Sequence, residues 1–284
     1  MKETWFAATI EAKDDDVDLI SHLMHKMGCN GIVEEASETV GQTRLTAYFK
    51  AEGFSKKTLK DQLEKIFSQY PALPKLTPQI ATAGSNNWQN NWRQWFKPFE
   101  IVPGIIVAPS WENYAAKADE KVITLDPGMA FGTGLHETTR LCALEIHKLR
   151  SRHNSLLDVG TGSGLLAILA SKMGIKKIEA VENDPEAVVV AEENFKINNV
   201  VDICVKKSLS DIKGTFDIVV ANILLLTLIE LKDELIKSVG PRGFLVLSGI
   251  TNDQEDRIKQ SFEPPLKLLE VSRQGEWSAI TFRR

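Results

Sequence analysis

The sequence predicts an α/β protein in which a mostly parallel sheet with helices on both faces follows a small α+β module. Two observations carry this prediction. From residue 100 onward, continuous apolar strands alternate with helical segments, which is the pattern of a sheet covered on both faces. In residues 1–83 the order is strand, helix, strand, strand, helix, strand. A chain of 284 residues, 43% of them hydrophobic, is long enough for one medium and one small domain.

The elements of the first module follow from periodicity and from residues that end helices. Asp15–Met27 carries apolar side chains at helical spacing, and Gly28 follows it. Ser55 can cap a second helix, which Pro71 and Pro74 end. The strands are expected at Thr4–Ala12, Gly31–Ala36, Thr43–Lys50 and Leu76–Ala83. This order is that of a ferredoxin-like βαββαβ module, which we assign to residues 1–85.

The charge balance argues against a polyanionic partner. The chain carries 34 basic and 38 acidic residues, a formal net charge of −4. Residues 1–85 carry 10 Lys and Arg against 12 Asp and Glu, a net charge of −2. Tyr48 and Phe49 could stack on bases in an RNA-binding module of this topology, but the glycine-aromatic pattern of the RNA-recognition motif is missing. Protein recognition or scaffolding is therefore the preferred role of the module, and no direct nucleic-acid binding is expected.

No export signal, membrane span or cysteine framework is visible. The amino terminus alternates polar and apolar residues, and the longest apolar stretch, Ala221–Ile229, has nine residues against the ~20 that a bilayer span requires. Cys29, Cys142 and Cys204 are odd in number and far apart, which predicts three buried, reduced thiols and no metal site. A soluble cytoplasmic protein that does not bind membranes is expected.

Residues 86–99 are predicted to form a short connecting helix with the sequence NNWQNNWRQWFKPF. Trp88, Trp92 and Trp95 are spaced four and three apart and would share one face of that helix, which Pro98 ends. An aromatic stripe of this kind favours packing over a ligand site.

Residues 100–284 are expected to contain five buried strands and a closing hairpin. The strands are predicted at Ser155–Val159, Lys177–Val181, Asp202–Val205, Phe216–Ala221 and Gly243–Leu247. The helices are predicted at Gly164–Met173, Pro185–Asn198, Leu224–Val239 and Asn252–Phe262. Two alternating segments, Leu266–Ser272 and Trp277–Arg283, predict the hairpin.

The strongest chemical signal is the segment LLDVGTGSGLLAILA, in which an apolar strand runs through a glycine turn into an apolar helix. Gly160 and Gly162 would allow a ligand to approach the backbone at the carboxyl end of a strand. A dinucleotide site would have a third glycine at position 165, which is Leu165. Asp158 before the turn suits a ligand that has an ammonium group and no pyrophosphate. S-adenosylmethionine has that character.

A second signal follows the next strand, in AVENDPEA. Glu182 lies where an acidic side chain can accept hydrogen bonds from both ribose hydroxyls. The glycine turn and this acid together favour cofactor binding more than either does alone. Asn183 and Asp184 are weaker candidates, because Asp184 could cap the helix that begins at Pro185.

Two further segments place polar groups near the same edge of the sheet. Leu125–Leu141 is a glycine-rich loop followed by a helix start, and it could cover a ligand or be an ordinary capped loop. Its His136 is the candidate proton acceptor, with a structural role as the alternative. Asn222 ends an apolar strand at the carboxyl edge, where its amide carbonyl could hold an acceptor amine or simply shape a turn.

The motifs DPGMAFGTGLHETT, DVGTGSG, VENDP and ANIL, in this order behind a small module and a tryptophan-rich connector, resemble those of the bacterial PrmA family of ribosomal protein L11 methyltransferases. The resemblance covers nearly the whole chain. It implies a class I Rossmann-like domain over residues 100–284, with a mostly parallel seven-stranded sheet that binds S-adenosylmethionine. It also implies that the first module recognises the large-subunit ribosomal protein, whose lysine and amino-terminal amines are methylated. One cofactor site per chain makes a monomer sufficient.

Carried over residue by residue, the resemblance places cofactor contacts at Thr139, Gly160, Glu182 and Asn222. Glu182 stands where the family often has Asp. Leu135 replaces a usual polar residue and Leu225 a common Ala, which puts details of the acceptor side in doubt.

Three other functions compete with methylation of a protein amine. Methyltransferases of glutamine amides or adenine carry Asn/Asp-Pro-Pro-Tyr where this chain has Asn222-Ile223-Leu224-Leu225, so an aliphatic amine is preferred. A non-catalytic assembly protein that keeps the cofactor fold is disfavoured by the intact glycines and by Glu182. A dehydrogenase is disfavoured by Leu165.

Overall fold

The computed structural model of the chain comprises two compact units, residues 1–97 and 98–284. It describes residues 5–29, 31–37, 39–51, 55–70, 73–83, 97–125, 132, 134–200 and 202–284. The predicted tryptophan helix therefore lies outside the described residues except for its last three positions, 97–99, and residues 126–131 and 133 of the glycine-rich loop are also outside them.

The first unit is a four-stranded antiparallel sheet with two helices. Its elements are β1 (Trp5–Lys13), α1 (Val17–Lys26), β2 (Gly31–Ala36), β3 (Gln42–Lys50), α2 (Lys56–Ser68) and β4 (Gln79–Ala83). The strands lie in the order β2-β3-β1-β4. Ile20, Leu23, Leu59 and Leu63 of the helices are fully buried in a cluster with alternate side chains of β1 and β3. Ser55 caps α2, since its hydroxyl accepts from the Thr58 amide at 3.0 Å.

The second unit alternates strands and helices. Its first three strands, β5 (Phe99–Val102), β6 (Ile105–Ala108) and β7 (Lys121–Thr124), form a small sheet of their own. The larger sheet comprises β8 (Ser155–Val159), β9 (Lys177–Val181), β10 (Val205–Lys206), β11 (Phe216–Asn222), β12 (Val239–Thr251), β13 (Lys267–Gln274) and β14 (Trp277–Arg283). The helices are α3 (Glu137–Leu149), α4 (Leu165–Lys172), α5 (Pro185–Ile197), α6 (Leu225–Glu230), α7 (Lys232–Ser238) and α8 (Glu255–Phe262).

The larger sheet has the order β10-β9-β8-β11-β12-β14-β13. Its first five strands are mutually parallel, whereas β14 runs antiparallel to both β12 and β13. The predicted seven-stranded, mostly parallel α/β sheet is thus confirmed. From β8 the chain proceeds to β9 and β10 on one side, and then returns to β11 and β12 on the other. The carboxyl ends of β8 and β11 therefore flank a topological switch point, where open α/β sheets bind their ligands.

Three details of the second unit differ from the prediction. The expected helix Leu224–Val239 is two helices, because Leu231 leaves the helical conformation at φ −87° and ψ 5°. Neither Gly nor Pro marks this break, although Asp233 and Glu234 then begin the new helix, where negative charge is favourable. The third strand lies at Val205–Lys206 and not at Asp202–Val205.

The cysteine prediction was wrong for one of the three residues. Cys29 and Cys142 are buried, whereas Cys204 is exposed, because it precedes the short edge strand β10 and not a central one. All three are free thiols. Among the residues described, none of the helices combines the length and apolar character that a bilayer span needs.

Candidate active site at the carboxyl ends of β8, β9 and β11

The glycine turn joins β8 to α4 in a left-handed backbone conformation. Gly160, Gly162 and Gly164 have φ values of 73°, 53° and 82°, which glycine adopts at little cost. A Cβ at Gly160 would lie 2.4 Å from Ile223 Cγ2, and one at Gly164 would lie 2.6 Å from the Phe195 ring. The sequence-based expectation that Gly160 leaves room for the ligand is thus incomplete, because the missing side chain first makes room for Ile223.

Glu182, at the end of β9, is bonded to the glycine turn. Its Oε2 accepts from the Gly162 amide at 2.9 Å, and its Oε1 accepts from the amides of Asn183 and Asp184 at 2.9 and 3.1 Å. A carboxylate has about four acceptor positions, so these three bonds leave capacity for one more donor. Asp184 caps α5 through the Glu186 amide at 2.9 Å, which confirms its structural interpretation.

Asp158 is buried at the end of β8, with 1% of its surface exposed. Its Oδ2 accepts from the Thr161 hydroxyl at 2.6 Å, while its Oδ1 has no hydrogen-bond partner within the described part of the chain. Burial raises the pKa of this carboxyl from 3.8 to about 7, and the Thr161 hydrogen bond opposes that shift. Asp158 therefore braces the turn through Thr161, and a role toward the ammonium group of a ligand stays a prediction.

The raised pKa of Asp158 makes stability depend on pH. The folded protein keeps the Asp158 proton up to a pKa of about 7, whereas the unfolded chain loses it near 3.8. The contribution of this group to the free energy of unfolding is thus fully present below the unfolded pKa. It declines as pH rises through the folded pKa, by on the order of 4 kcal/mol. Asp158→Asn should remove this decline. Urea unfolding of both proteins at pH 5 and pH 8 is the check, and equal pH dependence would contradict it.

Asn222, the last residue of β11, meets the first turn of α3. Its Nδ2 donates to the Thr139 hydroxyl at 3.3 Å, and Thr139 is 1% exposed. The Asn222 Oδ1 atom has no hydrogen-bond partner among the residues that the structure describes. Two residues that are 83 positions apart in the chain are thus brought together at the switch point, with one amide oxygen left to accept a hydrogen bond from a ligand.

His136 begins α3 as its N-cap. Its Nδ1 accepts from the Thr138 amide at 3.3 Å and lies 2.8 Å from the Thr138 hydroxyl. The ring also meets Trp277 of β14 edge to face, with centroids 4.8 Å apart. Nδ1 therefore serves the cap and fixes the start of the helix that carries Thr139. Proton acceptance by His136 stays a prediction.

Two residues that the sequence analysis did not select hold Ile223, next to Asn222. The Ile223 amide donates to the Ser248 carbonyl at 3.2 Å. A Cβ at Gly249, whose φ is 82°, would lie 2.5 Å from the Ile223 carbonyl oxygen. Ile223 is thus enclosed by Gly160 on one side and Gly249 on the other. The only sequence signal was a Ser-Gly pair at the end of a predicted strand.

The described end of the glycine-rich loop is attached to the glycine turn. The Ser163 hydroxyl donates to the Gly132 carbonyl at 2.7 Å. Asn194 of α5 donates to the Ser163 carbonyl at 2.8 Å. A Cβ at Gly134 would lie 2.8 Å from Leu165 Cδ2. These contacts place the loop's carboxyl-terminal part against the turn, between α3 and α4.

These groups suit a nucleoside with a charged amino-acid tail. Glu182 offers acceptor capacity for ribose hydroxyls, and Asp158 and Asn222 each present an oxygen without a protein partner. Within the described ranges, no three His, Cys, Asp or Glu side chains are grouped so that they could hold a metal ion.

A switch-point site of this kind, on a seven-stranded sheet in this order, is that of the Rossmann-like methyltransferases that use S-adenosylmethionine as methyl donor. The family model described as "Ribosomal protein L11 methyltransferase (PrmA)" matches residues 4–284. The chain belongs to this family.

Similar proteins agree with that assignment over the full length. A ribosomal protein L11 methyltransferase of Geotalea uraniireducens is 36% identical over 312 residues, covering 100% of this chain and 99% of the relative. One of Thermoanaerobacter pseudethanolicus is 32% identical over 305 residues, covering 99% of each chain. A crystal structure of ribosomal protein L11 methylase from Lactobacillus delbrueckii subsp. bulgaricus matches with a TM-score of 0.63 and 35% identity, covering 66% of this chain and 99% of that one.

Proposed function

We propose that this protein transfers methyl groups from S-adenosylmethionine to lysine and amino-terminal amines of ribosomal protein L11. The observation that carries the proposal is the Asn222 Oδ1 atom, which has no protein partner where the ends of β8 and β11 meet. Family membership supports L11 as the substrate. The function is that of a cytoplasmic enzyme, and the single site per chain supports a monomer.

The chain's part in the reaction is to position and desolvate an amine. When bound, S-adenosylmethionine supplies a methyl group on a positively charged sulfur. A free lysine, with a pKa of about 10.4, must lose a proton before it can attack, and a desolvated site favours the neutral amine. Asn222 Oδ1 can accept an N–H of that amine and direct its lone pair along the line of displacement.

The proposal assigns cofactor contacts to the residues around the turn. Glu182 takes the ribose hydroxyls with its remaining acceptor capacity, and Asp158 acts on the ammonium group through the turn. Gly160 and Gly162 provide backbone at the carboxyl end of β8, and Thr139 lies on the opposite side beside Asn222.

The test is mass spectrometry of purified L11 after incubation with the protein and S-adenosylmethionine. Mass gains in whole methyl increments that map to lysine or the amino terminus are expected. Gains that map to glutamine would favour amide methylation, and absence of any gain on L11 would contradict the proposed substrate.

The first unit is proposed to recognise L11. Deleting residues 1–85 should leave affinity for S-adenosylmethionine unchanged, because every group assigned to that site lies beyond residue 98. Transfer to L11 should fall by about 10²-fold or more, since remote binding energy positions the acceptor. Calorimetric titration with cofactor and single-turnover transfer are the measurements. The melting temperature of the shortened protein shows that it is folded, and unchanged transfer would exclude the recognition role.

A further inference from the structure

The Asn222 side chain has two unlike ends, and only one of them helps an attacking amine. The carbonyl oxygen accepts an N–H of the amine and leaves its lone pair available. The NH2 group in the same place would donate a hydrogen bond to that lone pair, which is the pair that must form the new N–C bond. The orientation of this amide therefore affects the rate of transfer more than the binding of either substrate.

Thr139 is the group that distinguishes the two ends. Its hydroxyl lies 3.3 Å from Asn222 Nδ2, and no other hydrogen bond is assigned to Asn222's side chain within the described residues, because Oδ1 has none. We infer that Thr139 is a positioning residue which holds the Asn222 amide by its NH2 end, so that Oδ1 faces the acceptor amine. The inference rests on the proposed function and deepens it.

Both partners are held rigidly enough for this role. Thr139 is 1% exposed, and its branched side chain restricts χ1. It lies in the first turn of α3, whose start is fixed by the His136 cap. On the other side, the Asn222 backbone pairs with Ser248 in β12, and Ile223 donates to the Ser248 carbonyl at 3.2 Å. The hydrogen bond thus joins two anchored elements and not two mobile side chains.

This role differs from a direct cofactor contact, which is what the family resemblance implies for Thr139. A cofactor contact would affect affinity for S-adenosylmethionine. A positioning residue that acts through Asn222 would leave that affinity unchanged and slow the transfer step, and its effect would vanish once Asn222 is replaced. The two roles are therefore separable by measurement.

The test compares Thr139→Val, which keeps the branched shape but removes the oxygen, with Thr139→Ser, which keeps the oxygen. We expect T139V to lower the single-turnover rate about 10- to 100-fold while the cofactor Kd from calorimetry stays within about twofold. T139S should keep most of the rate. In an Asn222→Ala background, T139V should cause no further loss, because the interaction is already absent.

An independent readout comes from the free protein. The Asn222 side-chain NH2 signals in a nitrogen-15 NMR spectrum are assigned by their loss in N222A. Their hydrogen exchange should accelerate in T139V and stay slow in T139S. If T139V does not fold, Thr139→Ala removes the hydroxyl without the second methyl and replaces it in every arm.

Three results would overturn the inference: a wild-type rate in T139V, a raised cofactor Kd at an unchanged rate, or a further loss of rate on adding T139V to N222A. If wild-type protein transfers no methyl to L11, the proposed function fails instead. The NMR arm then still decides, because unchanged NH2 exchange in T139V overturns the inference and faster exchange supports it.

Discussion

Asn222→Ala is expected to slow methyl transfer by about 10²–10³-fold, which is the loss seen when one preorganised hydrogen-bonding group is removed from a reacting centre. The variant removes the Oδ1 atom that has no protein partner and the Nδ2 bond to Thr139. Affinity for S-adenosylmethionine should change little, because the glycine turn and Glu182 remain intact. Single-turnover transfer and calorimetric titration measure the two quantities.

Asn222→Asp serves as the control for shape. It keeps an acceptor oxygen and nearly the same volume, but its negative charge stabilises a protonated amine, which cannot attack. We therefore expect N222D to be slow at neutral pH and to recover as pH rises, whereas N222A stays slow at all pH values. Equal rates for N222A and the wild-type protein would exclude Asn222 from the transfer step.

Gly160→Ala is expected to disrupt the site far more than Gly174→Ala, although both glycines have left-handed backbones with φ of 73° and 94°. A left-handed conformation costs a residue with a Cβ about 1–2 kcal/mol. At Gly174 nothing lies within 4 Å of the new Cβ, whereas at Gly160 it would lie 2.4 Å from Ile223 Cγ2. Ile223 cannot retreat easily, because Gly249 lies against its backbone.

The expected loss of stability in G160A is thus the backbone cost plus about 1–3 kcal/mol of overpacking, and G174A shows the backbone cost alone. Displacement of the turn should lower affinity for S-adenosylmethionine at least about tenfold in G160A and leave it unchanged in G174A. Gly160→Val should be more severe than G160A. Urea unfolding and calorimetric titration are the measurements, and normal cofactor affinity in G160A would refute the placement of the site.

The sequence was sufficient to predict what depends on short-range pattern. Continuous apolar runs predicted the parallel strands, and the glycine turn, Glu182 and Asn222 were each found because they end such a strand. The Asp184 and Ser55 caps were also foreseen, since a cap lies two or three residues from its partner.

What the sequence did not disclose depends on which strands become neighbours. Gly249 contacts Ile223 only because β12 lies next to β11, and Gly160 contacts it only because β8 lies on the other side. The Thr139–Asn222 hydrogen bond likewise needs α3 to dock at the end of β11. The break at Leu231 had no Gly or Pro to mark it, so helical periodicity ran through it.

The most direct test of the site is a crystal structure of the protein with S-adenosylhomocysteine, the product that remains after methyl transfer. We predict that its ribose hydroxyls bond to Glu182, that its amino-acid tail lies along the Gly160–Gly162 turn, and that its sulfur faces the Asn222 amide. A ligand bound elsewhere on the chain, or one whose ribose lies away from Glu182, would contradict the site described here.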